Sequence, residues 1–411
     1  MNLVTGFQCL ECAQRVDPGD VRYNCPACGG NLDVLYDYER AARYLTREAL
    51  ARNSTKSMWR YLPLLPIESG STVPPLTVGW TPLYESPRLA SELGVQRVLI
   101  KDDGRNPTAS LKDRPSALVV AKAVELGEKL ITTASSGNAG SALAGMCAAS
   151  RLQSVIFVPA TAPAAKVVQL LVYGATVVLV EGTYDEAVDL SLAAGERFGW
   201  YQRCTGYNPF TVEGKKTAAF EIAEQLEWQA PDRVIVGVGD GNIIGGLWKG
   251  FTELKRVGLI DRLPRITGVQ AEEASPIVAA VNGDGTVHPV DARTIADGIC
   301  VGRPRDATRA VRAMSESRGG GITVPDEEIL SAIGRLARET GVFAEPAAAA
   351  SFAGLIRLRD LNRIDKGETV VLVITGSGLK DIQAARQGAR EPIRIPPDLA
   401  ELERRVSDLK R

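Results

Sequence analysis

The chain has 411 residues, of which 45% are hydrophobic and 24% charged, so it has enough apolar material for two or three globular domains. With 48 Lys and Arg against 49 Asp and Glu, its net charge is close to zero, and we expect no nucleic-acid or membrane partner. Neither a signal peptide nor a membrane-spanning apolar run is recognisable, so we expect a cytoplasmic protein.

The first predicted element is a short cysteine-bearing segment over residues 1–35. Its spacing, C-x2-C-x12-C-x2-C, is typical of a tetrahedral Zn site with four thiolate ligands, Cys9, Cys12, Cys25 and Cys28. Four protein ligands leave no open coordination position, so the predicted zinc is structural; free or redox-active cysteines are the alternative. Since basic and aromatic runs are missing, we interpret this zinc-ribbon-like segment as an accessory fold, not a nucleic-acid module.

Apolar strands and helices alternate along the rest of the chain. After a helical linker over residues 36–75, this alternation predicts an α/β body over 76–385 with mostly parallel sheets, and a C-terminal tail helix over 386–411. The predicted strands are 97–103, 129–135, 154–160, 175–182, 233–239, 266–272 and 369–378. The predicted helices include 112–126, 138–152, 184–198, 213–228, 246–257, 326–339 and 346–359.

The single histidine narrows the catalytic options. His288 lies in a turn-rich segment, NGDGTVHPVD, and any Ser-His-Asp, Cys-His or His-rich metal mechanism would depend on this residue alone. We therefore expect a different side chain to carry out acid–base chemistry in any enzymatic reaction.

Small and polar residues follow four of the predicted strands, in the region where ligands of α/β folds bind. These stretches read KDDGRNPTASLKDR, TASSGNAGS, GVGDGNIIGG and ITGSGLKD. Backbone N–H groups of the turn GVGDGN can bind a phosphate at a helix N-terminus, although a plain tight turn is the alternative. Asn242 stands where a dinucleotide fingerprint would have its third glycine, so that class of site is not indicated.

Lys112 is the candidate catalytic residue. An isolated lysine is most often a solvated charge, but Lys112 shares the predicted strand-end layer with the glycine-rich turn and a Ser-Asn cluster. A buried lysine with a lowered pKa can form a Schiff base and then transfer protons. A cofactor with both an aldehyde and a phosphate would suit Lys112 and the glycine-rich turn together.

Six motifs in this order resemble the threonine synthases, which are fold type II enzymes dependent on pyridoxal 5′-phosphate: NPTASLKDR, SSGNAGSALA, NPFTVEGKKTAAFE, VGDGNIIGGLWKGF, GVFAEPAAAASFAGL and TGSGLKD. The resemblance covers about residues 75–385. It implies a tryptophan synthase β-like architecture of two α/β domains, with a smaller mobile subdomain at about 113–205 inserted in the larger one. A small amino-acid substrate and a homodimer are implied as well, and some members carry a similar zinc ribbon.

The resemblance also implies a role for each matching residue. Lys112 would form the Schiff base, Asn138 would hydrogen-bond the cofactor's 3′-oxygen, and Thr375 would meet the pyridine nitrogen. The phosphate would be bound by the glycine-rich turn, at Gly239, Asp240, Gly241 and Asn242. The substrate carboxylate would lie near two hydroxyls, those of Ser135 and Ser136.

One departure from the family pattern bears on the substrate. Threonine synthases usually carry a phosphate-binding arginine at the position of Thr211, which we keep as a candidate substrate contact. Arg303, Arg305 or Lys215 could supply the missing cation.

The leading hypothesis is a lyase that converts O-phospho-L-homoserine and water to L-threonine and phosphate. Because of Thr211, a threonine or serine deaminase, or a β-replacement enzyme acting on a non-phosphorylated amino acid, is the first alternative. A non-catalytic binding protein whose ribbon recruits a partner is the second.

Overall fold

The computed structural model describes residues 2–20, 23–135, 137–162 and 164–407, which form three sheets and their surrounding helices. The N-terminal sheet is antiparallel and has the order β2-β1-β3, with β1 at Val4–Cys9, β2 at Arg15–Val16 and β3 at Leu32–Tyr36. Two short helices follow, α1 (Tyr38–Tyr44) and α2 (Arg47–Arg52). The side chains of Asp37 and Thr46 accept hydrogen bonds from backbone N–H groups in the first turns and so cap these helices.

None of the helices in the described ranges is long and apolar enough to cross a bilayer. The first strand of the α/β body begins at residue 83. In chain order its elements are β4 (Leu83–Glu85), α3 (Pro87–Leu93), β5 (Arg97–Asp102), α4 (Asp113–Glu125), β6 (Leu130–Ala134), α5 (Asn138–Ala149), β7 (Gln153–Pro159), α6 (Ala164–Val172), β8 (Thr176–Val180), α7 (Tyr184–Phe198), β9 (Tyr201–Gln202), α8 (Phe210–Gln225), β10 (Arg233–Gly237), α9 (Asn242–Arg256), β11 (Arg265–Ala271), α10 (Pro276–Asn282), α11 (Ala307–Glu316), β12 (Gly321–Val324), α12 (Asp326–Thr340), α13 (Pro346–Asp360), β13 (Thr369–Ile374), α14 (Ile382–Gln387) and α15 (Leu399–Ser407).

Two sheets divide the body. The larger has the order β12-β11-β10-β13-β5-β4 and is parallel except for β4, which pairs antiparallel with β5. The smaller has the order β8-β7-β6-β9 and is entirely parallel. Central strands such as β13 are apolar along nearly their whole length because helices cover both faces of a parallel sheet.

The predicted α/β fold is confirmed, with most element boundaries within three residues of those expected. The predicted strand 369–378 is too long, since β13 ends at Ile374 and the following TGSG residues form a loop. The short strands β9 and β12 and the helix α11 were not predicted. The smaller sheet lies inside the predicted subdomain 113–205, whose bounds and mobility stay predictions.

A buried ion-pair network holds the first turn of α4, through Arg114, which lies two residues after Lys112. Arg114 is fully buried; its Nε lies 2.6 Å from Asp103 Oδ2 and its Nη1 lies 2.5 Å from Glu221 Oε1. Lys101 on β5 also contacts Glu221, at 2.7 Å. Burial alone would raise the pKa of Glu221, but the charges of Arg114 and Lys101 lower this pKa to about 2. The network therefore joins β5, α4 and α8 around the segment that carries Lys112.

We predict that Glu221→Gln lowers the free energy of unfolding by about 3–5 kcal/mol, because it leaves two buried cations without their shared carboxylate. The matched control is Glu85→Gln, whose half-exposed pair with Arg97 should contribute no more than about 1 kcal/mol. Urea unfolding checks both values.

The pH dependence follows from the lowered pKa of Glu221, whose contribution is full above the ordinary value of 4.5 and is lost as pH falls towards about 2. The difference between Glu221→Gln and the unsubstituted protein should shrink across that range. If Glu221→Gln and Glu85→Gln lower the free energy of unfolding equally near neutral pH, the proposed role of the network is contradicted.

Candidate active site

A cavity of about 680 Å³ opens where strands of both body sheets end. Lys112 lines it together with the residue after β6, Ser135, and the residue after β13, Thr375. The other predicted cofactor contacts also line this cavity, namely Asn138, Gly239, Asp240, Gly241 and Asn242. Residues that lie more than 230 positions apart in the sequence therefore meet at one site.

Hydrogen bonds between two loops set the position of Lys112. The Leu111 N–H donates to the Thr375 carbonyl at 2.8 Å, and the Ser377 N–H donates to the Ala109 carbonyl at 3.0 Å. Asp113 accepts a hydrogen bond from the Thr108 N–H at 2.7 Å, which closes the loop before α4. The segment before Lys112 is thus held against the loop that follows β13.

The Lys112 amine has the properties of a nucleophile. Burial lowers its pKa, and the nearby negative charge of Glu345 opposes that shift in part. Within the described ranges, no hydrogen bond or ion pair engages the Lys112 Nζ atom. A lysine amine with a lowered pKa is more often neutral and is therefore available to attack a carbonyl carbon or to accept a proton.

Within the glycine-rich turn between β10 and α9, Gly241 has no room for a side chain and Gly239 has little. Gly241 has φ +91°, and a Cβ atom there would lie 2.7 Å from the Asp306 carbonyl oxygen. At Gly239 a Cβ atom would lie 3.1 Å from the Gly298 carbonyl oxygen. Because α9 begins directly afterwards at Asn242, its N-terminal N–H groups and dipole favour an anion at this turn.

Polar side chains surround that turn. Lys215 Nζ donates to Asn242 Oδ1 at 2.5 Å, and Asn242 Nδ2 donates to Asp306 Oδ2 at 2.6 Å. The Asp240 side chain accepts a hydrogen bond from the Arg305 N–H at 3.2 Å, while burial raises its pKa. Burial also lowers the pKa of Lys215 well below its ordinary value, and the positive charge of Lys112 adds to the effect.

Glu345 lines the cavity and was missed as a site residue. The Asn138 Nδ2 atom lies 2.9 and 2.8 Å from its two carboxyl oxygens, and burial raises the pKa of this carboxyl group. Gly376 approaches so closely that a Cβ atom there would lie 2.3 Å from Glu345 Oε1. The sequence signal was a lone acidic residue before Pro346 at the start of a small-residue helix.

The predicted substrate contacts have different outcomes. Ser135 lines the cavity, and its Oγ accepts a hydrogen bond from the Gly137 N–H at 3.2 Å. Ser136 lies outside the described residues. Thr211 is fully buried, is absent from the cavity lining and donates its hydroxyl to the Asn208 carbonyl at 2.8 Å; its role as a substrate contact stays a prediction.

The three cations considered as replacements for the missing arginine lie in different places. Lys215 and Arg305 line the cavity, whereas Arg303 does not and keeps 68% of its side chain exposed. The Arg305 guanidinium forms an ion pair with Asp185, and its Nη2 atom lies 3.0 Å from Asp185 Oδ1.

The four cysteines of the N-terminal segment converge. Their Sγ atoms all lie within 4.8 Å of one another, and the Cys9–Cys28 and Cys12–Cys25 separations are 3.4 and 3.7 Å. A Zn–S distance of about 2.3 Å in a tetrahedron places sulfur atoms roughly 3.8 Å apart. All seven cysteines of the chain are free thiols. The geometry fits a metal bound by four thiolates.

The N-terminal segment also forms part of the cavity wall. Asn24 and Asn31 line the cavity, and Asn31 Nδ2 donates to the Arg305 carbonyl at 2.7 Å and to Asp306 Oδ1 at 3.1 Å. Since Asp306 also accepts from Asn242, the segment is two hydrogen bonds away from the glycine-rich turn. The interpretation as a merely accessory fold was therefore incomplete.

A family model and two known proteins match this chain over most of its length. Residues 75–376 match the family described as pyridoxal-phosphate dependent enzyme. The chain is 40% identical to a threonine synthase of Methanocaldococcus jannaschii, over 98% of this chain and 99% of that one. It is 37% identical to a threonine synthase of Mycobacterium tuberculosis, over 82% of this chain and 92% of that one.

The chain belongs to the threonine synthase family of pyridoxal-phosphate dependent enzymes. Among solved structures, the processed form of threonine deaminase isoform 2 from Solanum lycopersicum is similar with a TM-score of 0.62, 24% identity, and coverage of 80% of this chain and 82% of that one. Maize serine racemase is similar with a TM-score of 0.65, 19% identity, and coverage of 80% and 92%. At these identities the two structures show the shared fold alone, which is the fold type II architecture that the motifs implied.

We predict that Gly241→Ala weakens the binding of pyridoxal phosphate, because the new methyl group would clash with the Asp306 carbonyl and open the turn. Gly258→Ala is the matched control, since Gly258 has a similar φ of +79° but open space around its Cβ position. Both variants carry the backbone strain of about 1–2 kcal/mol for a left-handed alanine. Cofactor titration should separate them, and equal affinities would contradict the role of the turn.

Proposed function

We propose that this member of the family is a threonine synthase, which converts O-phospho-L-homoserine and water to L-threonine and phosphate. The main support is the Lys112 amine, which has a lowered pKa and no partner among the described residues, beside a glycine-rich turn closed to side chains. Identity of 40% to a threonine synthase over nearly the full length supports the same reaction.

The residues of the cavity fit pyridoxal phosphate. Lys112 would hold the cofactor through its aldehyde, and the turn Gly239–Asn242 would bind its phosphate where methyl groups have no room. Asn138 and Thr375, which also line the cavity, would supply hydrogen bonds to the cofactor ring. When bound, the cofactor supplies an electron sink for negative charge at the substrate's Cα atom.

The proposed reaction requires several proton transfers within one cavity. The bond between Cγ and the phosphate oxygen breaks, a hydroxyl group is added at Cβ, and Cγ becomes a methyl group. The free Lys112 amine could accept a proton from the substrate and later return one, because burial keeps its pKa low. Glu345 is a second proton-holding group, since burial raises the pKa of its carboxyl group.

A deaminase acting on threonine or serine is the second candidate. The observation in its favour is the threonine at position 211, where threonine synthases usually carry an arginine. Against it, Arg203 in the cavity wall forms no ion pair among the described residues, and a substrate lacking a phosphate would leave this cation unneutralised.

The reaction assay distinguishes these candidates. With O-phospho-L-homoserine, we expect equal amounts of phosphate and L-threonine and no 2-oxobutyrate. Release of 2-oxobutyrate or pyruvate from L-threonine or L-serine, without turnover of the phosphorylated substrate, would establish the deaminase instead.

We predict that Lys112→Ala lowers the rate of phosphate release by at least about 10²–10⁴-fold, because the substitution removes the proton-transferring amine. Lys122→Ala, in the helix α4 that directly follows Lys112, is the matched control, since Lys122 pairs with Glu125 at 2.9 Å and is absent from the cavity lining. Full activity of the Lys112 variant would contradict the assignment.

We also propose that Cys9, Cys12, Cys25 and Cys28 bind a structural zinc ion. Metal analysis should find about one zinc per chain, and Cys25→Ser should lose it. Cys147→Ala, which removes a thiol buried elsewhere, should keep its zinc. A metal-free wild-type protein with an intact fold would contradict this assignment.

Loss of the zinc should also weaken cofactor binding, because Asn31 contacts Asp306 beside the glycine-rich turn. The cytoplasmic location and the homodimer stay predictions, and the absence of disulfides among the seven cysteines is compatible with a reducing compartment.

A further inference from the structure

One buried arginine in the cavity wall is incompletely satisfied. Arg203 directly follows β9, lines the cavity, and has no exposed surface. Its Nη2 atom is buried and has no hydrogen-bond partner within the described ranges. Buried polar atoms are nearly always paired, so an orphaned guanidinium nitrogen in a cavity wall suggests a missing ligand atom.

The other contacts of Arg203 are neutral. Its Nε donates to Ser116 Oγ at 3.2 Å and its Nη1 donates to Thr205 Oγ1 at 3.0 Å. No carboxylate in the described part of the chain forms an ion pair with Arg203.

Two other buried arginines behave differently. Arg114 is paired with Asp103 and Glu221, and Arg233 lies 2.7 Å from Glu368. A buried cation is strongly unfavourable unless a negative group neutralises it. The structure therefore satisfies buried arginines elsewhere with protein carboxylates and leaves Arg203 to be neutralised by something else.

Hydrogen bonds through Ser116 link Arg203 to the backbone of Lys112. Ser116, which accepts from Arg203, donates its own N–H to the Lys112 carbonyl at 3.2 Å and lies one helical turn further along. The cofactor phosphate already has a candidate site at the glycine-rich turn, where Lys215 is bonded to Asn242. Arg203 is therefore available to a second anion that reaches the same cavity.

We propose that Arg203, supported by Thr205, binds the phosphate monoester of the substrate and determines specificity for phosphorylated amino acids. This inference rests on the proposed function and names the group that replaces the arginine missing at Thr211. Burial lowers the pKa of Arg203 to about 10, so the side chain stays protonated near neutral pH. A guanidinium can donate two parallel hydrogen bonds to phosphate oxygens, which suits this task better than an amine.

The test compares Arg203→Gln and Arg203→Lys as holoenzymes. For Arg203→Gln we expect the KM for O-phospho-L-homoserine to rise roughly 10- to 100-fold, with a smaller rise for Arg203→Lys. Inhibition by inorganic phosphate should weaken in parallel. The affinity for pyridoxal phosphate should stay unchanged, and Arg262→Gln, a change in a largely exposed arginine, should alter none of these values.

Two results of this comparison would overturn the role proposed for Arg203. An unchanged KM and unchanged phosphate inhibition in Arg203→Gln would overturn the inference while leaving the synthase function intact. A loss of cofactor affinity with unchanged phosphate inhibition would assign Arg203 to the cofactor instead and would also overturn it.

The inference can be tested separately from catalysis. If the wild-type enzyme fails to turn over O-phospho-L-homoserine, the proposed function fails. Calorimetric binding of the substrate's unreactive phosphonate analogue to holoprotein then decides whether Arg203 binds a distal anion. Should Arg203→Gln not fold, Thr205→Val and Arg203→Lys provide the same comparison, and undiminished phosphonate binding by both would overturn the inference.

Discussion

Three basic side chains in the cavity wall, those of Lys112, Lys215 and Arg203, form no carboxylate ion pair among the described residues. Burial lowers the pKa of all three, so the two lysine amines are more often neutral than exposed lysines are, whereas Arg203, with a pKa of about 10, stays protonated near neutral pH. Elsewhere in the body, buried cations such as Lys101 and Arg114 are paired within 2.7 Å. Because an unpaired buried charge is unfavourable, we expect an anionic ligand beside Arg203. A phosphorylated cofactor and a phosphorylated substrate would supply that charge.

The rest of the architecture holds these cations in place. The ion-pair network around Arg114 fixes the start of α4, and two backbone hydrogen bonds join the preceding loop to the residues after β13. The glycine-rich turn meets the N-terminal segment through Asp306, which bonds both Asn242 and Asn31. Residues beside all three sheets, the two of the body and the N-terminal one, thus contribute to one cavity.

The sequence predicted the parts of the site that follow from local pattern. Lys112 lies at the end of the loop that follows β5, and the turn Gly239–Asn242 follows β10. Because the carboxyl ends of parallel strands meet at one edge of a sheet, such loops can form one site. Arg203 was missed because it follows β9, a strand of two residues that leaves no periodic signal. The direction of the Thr211 side chain could not be predicted, because motif position does not specify it: its hydroxyl donates to the Asn208 carbonyl just before α8. The contribution of Asn31 to the wall depends entirely on how the ribbon docks.

The central claim is that the Lys112 amine holds the cofactor covalently inside this cavity. Its most direct test is borohydride reduction of the purified holoenzyme, followed by proteolysis and peptide mass mapping. The account predicts that the reduced pyridoxyl group is found on Lys112 and not on the neighbouring cations Lys215 or Lys380. A pyridoxyl group on another lysine, or cofactor released unreduced from an active enzyme, would contradict the account.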